Sequence, residues 1–141
     1  LKQSLSAFGE HVIVKEVEQA IEQAILKTGN IVVEFTVAPR FKSKSLPACH
    51  EWFIEFEGNV VEINNFKSLL DYELQKQNKY YKDLIDGKII EKPVISKIIK
   101  GGFKKYMSSI GKLGGQNKVP KIADNREIAD RLKKLNLIES I

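Results

Sequence analysis

The residues best suited to chemistry lie in a glycine-rich, lysine-bearing stretch near the C-terminus. Residues 111–121 read Gly-Lys-Leu-Gly-Gly-Gln-Asn-Lys-Val-Pro-Lys. Glycine lets a backbone approach a ligand closely because it has no Cβ, and Pro120 restricts the conformation at the exit of the stretch. A lysine held between them can be carried to an anion as a mobile point charge. The same composition is typical of an exposed surface connection, so both interpretations stay open at this point.

Other catalytic and metal-binding patterns are missing from the sequence. The glycine-rich stretch is not a nucleotide-binding P-loop, because Gly115 is followed by Gln116 and Asn117 instead of Lys and Ser or Thr. The one cysteine and two histidines lack the spacing of a zinc site, so no metal site is expected. Gly101 and Gly102 precede a short helix, whose N-terminus could bind a phosphate. The alternative is a tight strand-to-helix turn.

Composition points to one globular domain. The chain has 141 residues, of which 43% are hydrophobic and 29% charged, as in ordinary soluble proteins. No run approaches the ~20 apolar residues that cross a bilayer, and the single cysteine favours a reducing, cytoplasmic setting. The net charge of +5 comes from 20 Lys and 3 Arg, which could attract ATP, nucleic acid or an acidic surface. Since base readers favour Arg and these lysines are spread along the whole chain, a solvated basic surface is the simpler interpretation.

Hydrophobic periodicity predicts the elements that must position these residues. Apolar residues at helical spacing predict a first helix over Val14–Thr28, ended by Gly29 in a left-handed cap. Alternating apolar residues predict two antiparallel strands, over residues 30–37 and 51–57. The first strand would place four side chains on one face: Ile31, Val33, Phe35 and Val37.

The remaining elements complete an α+β pattern. They are a helix over residues 64–86, a strand over residues 93–99, a helix over residues 103–110, and a last helix that starts at a capping box of Asp124 and Glu127. This order predicts a small mixed β-sheet of three to five strands covered by helices.

Several segments, in the same order along the chain, resemble one family. They are residues 6–12 (Ser-Ala-Phe-Gly-Glu-His-Val), residues 50–56, residues 100–103 (Lys-Gly-Gly-Phe) and residues 115–121 (Gly-Gln-Asn-Lys-Val-Pro-Lys). The last is similar to the Gly-Gln-aromatic-Lys-x-Pro-Arg signature in the C-terminal domain of auxin-responsive Gretchen Hagen family proteins. The resemblance covers essentially the whole chain.

The resemblance implies an acyl-acid amido synthetase of the adenylate-forming superfamily. In that family ATP converts a carboxylic acid to an acyl-adenylate with loss of pyrophosphate, and the amine of an amino acid then displaces AMP. The chain would comprise a hinge or linker segment over residues 1–13 and a C-terminal cap domain over residues 14–141, both attached to a missing N-terminal domain. The expected cofactors are ATP and, in the full-length enzyme, Mg²⁺. The isolated chain is expected to be inactive.

Roles for individual residues come from the same resemblance. Lys118 would be catalytic, because it matches the lysine that the mobile cap brings to the nucleotide. Gly115 and Gln116 would shape the nucleotide-binding loop. Lys121, where the family often has Arg, would bind phosphate or only add surface charge. Glu10 and His11 would lie at the hinge.

Two departures from the family pattern point to a distant, bacterial branch. Asn117 stands where plant members tend to have an aromatic residue, and His11 stands where they can carry a lysine. Two other functions stay open. A basic nucleic-acid-binding module is one, although the aromatic signature of such sheets is missing. A small-ligand regulatory domain without catalysis is the other.

Overall fold

The computed structural model of the protein describes residues 3–111 and 118–140. Its elements follow in the order β1 (Ser4–Leu5), β2 (Val12–Ile13), α1 (Val14–Thr28), β3 (Ile31–Arg40), β4 (Cys49–Glu57), α2 (Ile63–Gln77), α3 (Lys79–Asp86), β5 (Val94–Lys97), α4 (Gly102–Ser109) and α5 (Glu127–Lys134). The predicted α+β class is confirmed.

Helix α1 has the predicted bounds because its end signals are local. At its C-terminus, Gly29 adopts a φ of 82°, and its N–H donates a hydrogen bond to the carbonyl of Ile25 at 2.8 Å. At its N-terminus, the Glu16 carboxylate accepts a hydrogen bond from the Ile13 N–H at 3.0 Å. The buried face consists of Val17, Ala20, Ile21 and Ala24.

The main sheet has the strand order β3-β4-β5 and is mixed, as predicted. Strands β3 and β4 pair antiparallel, whereas β4 and β5 pair parallel. The parallel pair follows from the crossover through α2 and α3, because two parallel strands cannot be joined by a tight turn. A separate two-stranded sheet joins β1 to β2 at the start of the chain.

The prediction for the first strand face is wrong at two of its four residues. The pairing of β3 with β4 shifts register between Val32 and Glu34, which is the signature of a β-bulge. Beyond the bulge, Phe35 and Val37 are buried as expected. Before it, Val32 packs on the core instead, and the side chains of Ile31 and Val33 are 57% and 54% exposed.

The predicted helix over residues 64–86 is in fact two helices. Asn78 interrupts it with an extended backbone at φ −133° and ψ 105°. Its side-chain oxygen accepts a hydrogen bond from the Tyr81 N–H at 2.8 Å and so caps the start of α3. Asparagine competes for backbone hydrogen bonds in this way, which is why it favours helix starts over helix interiors.

The predicted capping box of the last helix is also wrong. The Asp124 carboxylate accepts a hydrogen bond from the backbone N–H of Ser6 at 2.8 Å, more than a hundred residues away in the chain. Asn125 takes the local role, because its side-chain oxygen accepts from the Glu127 N–H at 3.0 Å. Asp124 therefore ties the start of the domain to its C-terminal part.

Two hydrophobic clusters lie on opposite faces of the main sheet. Strand β4 supplies both, because successive side chains of a strand point to opposite faces. The first cluster, which α1 and α2 cover, includes Leu5, Val12, Trp52, Ile54, Phe66 and Tyr81. The second, which α4 and α5 cover, includes Phe53, Phe103, Tyr106, Leu132 and Leu137.

Candidate functional site

Lys118 is an exposed residue at the edge of a firmly anchored segment. Directly after it, the side chain of Val119 is buried in the second hydrophobic cluster. The Val37 N–H then donates to the carbonyl of Lys121 at 2.9 Å, and the Ala123 N–H donates to the carbonyl of Val37 at 2.9 Å. The backbone is thus fixed to strand β3 immediately behind an exposed lysine.

Lys118 lines a groove of about 810 Å³ on the second face of the sheet. The groove combines apolar surface with charges of both signs. Its lining includes the apolar residues Val33, Phe56, Phe103 and Met107, the lysines Lys100 and Lys104, and the carboxylates Glu34, Glu55 and Glu57. Such a surface suits contact with another polypeptide as well as with a small anion.

The helix N-terminus at this groove is occupied by a protein carboxylate. The buried Glu55 side chain of β4 accepts hydrogen bonds from the N–H groups of Gly101, at 2.9 Å, and Phe103, at 3.2 Å. A carboxylate there satisfies donors that the helix itself leaves free. The phosphate-binding interpretation of this turn therefore gives way to the alternative, a tight strand-to-helix turn.

Glycine is required at this turn for two separate reasons. Gly101 has a φ of 75°, in the left-handed region that side chains disfavour. At Gly102, a Cβ would overlap the Cγ2 atom of Ile98. The close approach of helix and strand, and not ligand binding, accounts for the glycine pair.

Lys121 is half-buried and engaged by a carboxylate. Its ammonium forms an ion pair with Glu34 and lies 4.9 Å from the ring centroid of Phe35. Within residues 3–111 and 118–140, by contrast, the ion pairs leave Lys118 out. Of the two lysines assigned from sequence, Lys118 is the more exposed. The assignments to Gly115 and Gln116 lie outside the described residues.

The two residues assigned to the hinge have different environments. Glu10 is fully buried, and its carboxylate oxygens contact the Nε2 atom of His50 at 2.6 Å and the N–H of Phe8 at 2.8 Å. When Glu10 is ionised it can only accept, and Nε2 of His50 is then the donor of this hydrogen bond. His11 is exposed and has a φ of 46°, unusual for a residue other than glycine.

The Glu10–His50 pair belongs to a larger buried polar network. The Asn78 side-chain amide donates to the carbonyl of Glu10 at 3.0 Å and to the carboxylate of Glu16 at 3.1 Å. The ring of Tyr81 lies 5.1 Å from that of His50. Burial, with the Asp71 carboxylate as a second cause, raises the pKa of the Tyr81 hydroxyl well above its usual value.

Sequence reasoning assigned no role to His50 or Asn78. A histidine inside an apolar strand and an asparagine inside a helical pattern are the only local signals. Neither identifies its partner, because Glu10 precedes His50 by 40 positions and Asn78 by 68. The network forms only when β4 and the start of α3 meet residues 4–13.

Within the described residues, the structure holds neither a cluster of metal ligands nor a helix that could span a membrane. Residues 3–111 and 118–140 bring no three His, Cys, Asp or Glu side chains together as metal ligands. Across the same ranges, each helix is too short or too polar to cross a bilayer.

Cys49 is buried, and that burial raises the pKa of its thiol.

These features define an α+β domain with helices on both faces of a small mixed sheet and an exposed lysine directly before an anchored segment. The family model described as "GH3 family C-terminal domain" matches residues 15–127. The chain therefore belongs to the GH3 family as its C-terminal domain, which confirms the resemblance found in the sequence.

Solved structures place the same fold in larger proteins. "GH3.15 acyl acid amido synthetase" superposes with a TM-score of 0.74 at 18% identity, over 99% of this chain and 26% of that chain. "AtGH3.15 acyl acid amido synthetase in complex with 2,4-DB" gives a TM-score of 0.72, with 18% identity over 99% of this chain and 26% of that chain. A search of curated proteins found no match. The chain thus spans about a quarter of the length of these solved chains, and its fold is theirs.

Proposed function

We propose that this chain is the mobile C-terminal domain of an ATP-dependent acyl-acid amido synthetase. The protein would adenylate a carboxylic acid and transfer the acyl group to the amine of an amino acid. The observation that carries the proposal is an exposed Lys118 directly before an anchored segment, in a domain of the GH3 family. An N-terminal domain, not included in this chain, would hold most of the ATP and acid site.

Lys118 would act in the first of the two steps. The acid's carboxylate attacks the α-phosphate of ATP, so two anions approach and negative charge builds up between them. One cation at ~4 Å attracts a unit negative charge by about 4 kcal/mol at an effective dielectric constant near 20. Such a contact accelerates the reaction if it is strongest in the transition state.

The second step requires Lys118 to move away from the acyl-adenylate. An amine must reach the acyl carbon, and rotation of the domain would remove Lys118 from its path. The burial of Val119 and the backbone hydrogen bonds of residues 121 and 123 to β3 would make the lysine move with the domain as a rigid body. Lys121 would support this movement through its ion pair with Glu34 and would meet phosphate only after leaving that pair.

Mg²⁺ would reach the site together with ATP and be held outside the described part of this domain. Residues 3–111 and 118–140 contain no cluster of carboxylates and histidines that fits a metal ion. The cation would offset phosphate charge, while this chain contributes the lysine. The buried thiol of Cys49 fits a reducing, cytoplasmic compartment.

The proposal is tested by Lys118→Ala in the full-length protein. Acid-dependent ATP–pyrophosphate exchange should fall by about 100- to 1,000-fold, because most of a 4 kcal/mol contact is lost and each 1.4 kcal/mol is a factor of ten. Lys104→Ala is the matched control, since Lys104 lines the same groove. Its exchange rate should stay within about threefold of the wild type, as expected for a surface change.

Two results would contradict the proposal. Wild-type exchange in the Lys118→Ala protein would remove this lysine from the mechanism. The complete absence of acid-dependent exchange in the wild-type protein, with a broad panel of carboxylic acids, would count against adenylation itself.

A further inference from the structure

Burying the pair of Glu10 and His50 costs the domain free energy of desolvation. Both side chains are fully buried, with 2.6 Å between the carboxylate and Nε2. Removing ionisable groups from water costs free energy that their mutual attraction often fails to recover, so such pairs add little net stability. In some proteins, buried polar groups instead select one geometry among several that the apolar contacts would allow.

The geometry selected here is that of residues 4–13. Leu5 and Val12 of the β1–β2 hairpin are fully buried in the first hydrophobic cluster. Between them, the Glu10 carboxylate accepts from the Phe8 N–H and contacts His50 of β4. The hairpin is therefore held from within its own turn and from the main sheet.

Asn78, at the start of α3, is a third contact that holds the hairpin. Its side-chain amide lies within hydrogen-bond distance of the carbonyls of Glu10, at 3.0 Å, and His11, at 3.3 Å. His11 has the left-handed φ of 46°, which costs energy for a residue with a side chain. The network thus maintains a strained backbone at the point assigned to the hinge.

We propose that His50 and Glu10 are positioning residues that clamp residues 4–13 onto the domain body, so that the connection to the rest of the protein enters the domain in one fixed direction. This inference rests on the proposed function, because a fixed direction matters only if the domain must reach defined orientations. When the connection to the rest of the protein rotates, Lys118 then moves with it by the same rotation. A loose hairpin would spread the lysine over many unproductive positions.

The test compares variants of the full-length protein in acid-dependent ATP–pyrophosphate exchange. The double variant Glu10→Leu/His50→Phe removes both polar groups, which avoids leaving one charge buried alone and keeps the fold testable. His50→Gln is the conservative variant, because its amide can still donate to Glu10. Asp86→Asn is the control, since it breaks an equally short but exposed ion pair, Lys82–Asp86 at 2.6 Å.

The double variant should lower kcat at least tenfold while KM for ATP stays within twofold. Hydrogen exchange of the peptide containing residues 4–13 should become at least tenfold faster, with the main sheet unchanged. His50→Gln should restore kcat to within threefold of the wild type, and Asp86→Asn should match it.

Several outcomes would overturn the clamp. A folded double variant with wild-type kcat, or with wild-type exchange at residues 4–13, would do so. A loss of kcat that follows thermal stability across all variants would reduce the pair to a structural role. If the wild-type protein itself lacks ATP–pyrophosphate exchange, the proposed function fails, and the hydrogen-exchange comparison still decides whether the pair holds the hairpin.

Discussion

Glu55 should be one of the strongest single contributors to the stability of this domain. Its buried carboxylate reaches from strand β4 to the start of helix α4 and accepts from the N–H groups of Gly101 and Phe103. In Glu55→Ala, two backbone donors lose their acceptor, and the alanine side chain cannot replace it. The strand and the helix also lose their polar connection.

The expected cost can be added from these contacts. Each buried donor without an acceptor costs about 1–3 kcal/mol, and the lost charge at a helix N-terminus adds about 0.3–1 kcal/mol. Glu55→Ala should therefore lower the free energy of unfolding by about 2–5 kcal/mol, since partial access of water will satisfy some of the freed groups. That is a large share of the roughly 5–15 kcal/mol typical of a domain.

Urea unfolding of the 141-residue chain measures this cost from the shift in midpoint at constant m-value. Glu57→Ala is the matched control: Glu57 lies two residues further along β4, lines the same groove and is exposed. It should change stability by no more than about 0.5 kcal/mol. The reasoning is refuted if Glu55→Ala costs less than about 1 kcal/mol, or if the two variants cost the same.

Two further predictions concern close packing and alkaline pH. Gly102→Ala should cost about 1–3 kcal/mol in the same urea assay, because the new Cβ would overlap Ile98; unchanged stability would show that helix α4 can shift freely. Burial raises the pKa of Cys49, so the folded chain keeps its proton at a pH where the unfolded chain loses it. The free energy of unfolding should therefore fall as pH rises above about 8.5, and further above about 10 where Tyr81 acts in the same direction. Urea midpoints between pH 7 and 10.5 check this, with Cys49→Ala expected to flatten the first part; a midpoint that rises over that interval would contradict the sign.

Features controlled by neighbouring residues could be predicted from the sequence. The bounds of α1 follow from apolar spacing and from Gly29, which ends the helix wherever it packs. The alternation in β4 likewise places Trp52 and Ile54 on one face and Phe53 on the other. In the candidate site, the sequence singled out Lys118 because it stands in a family signature; the residue is exposed, and its catalytic role stays a prediction.

Other features were missed because their cause lies far away in the chain. The β-bulge in β3 reverses the exposure of Val33, and only the partner strand determines its position. Asp124 resembles a helix cap in sequence, yet its hydrogen-bond partner is the backbone of Ser6. Local sequence patterns cannot tell whether a side chain will bond to a near or a distant partner. The free energy gained from a distant partner does not depend on the neighbouring residues in the chain.

By itself, the sequence determined the fold class, the family and the lysine to examine. Periodicity, turn residues and signature motifs are short-range properties, so they can be recognised before the packing of the chain is known. The tertiary structure decided which polar groups are already occupied: Glu55 fills the helix N-terminus at Gly101, Glu34 holds Lys121, and Glu10 is locked to His50. A buried polar group is stabilised by a hydrogen-bond partner, and only the folded chain determines which partner is within reach.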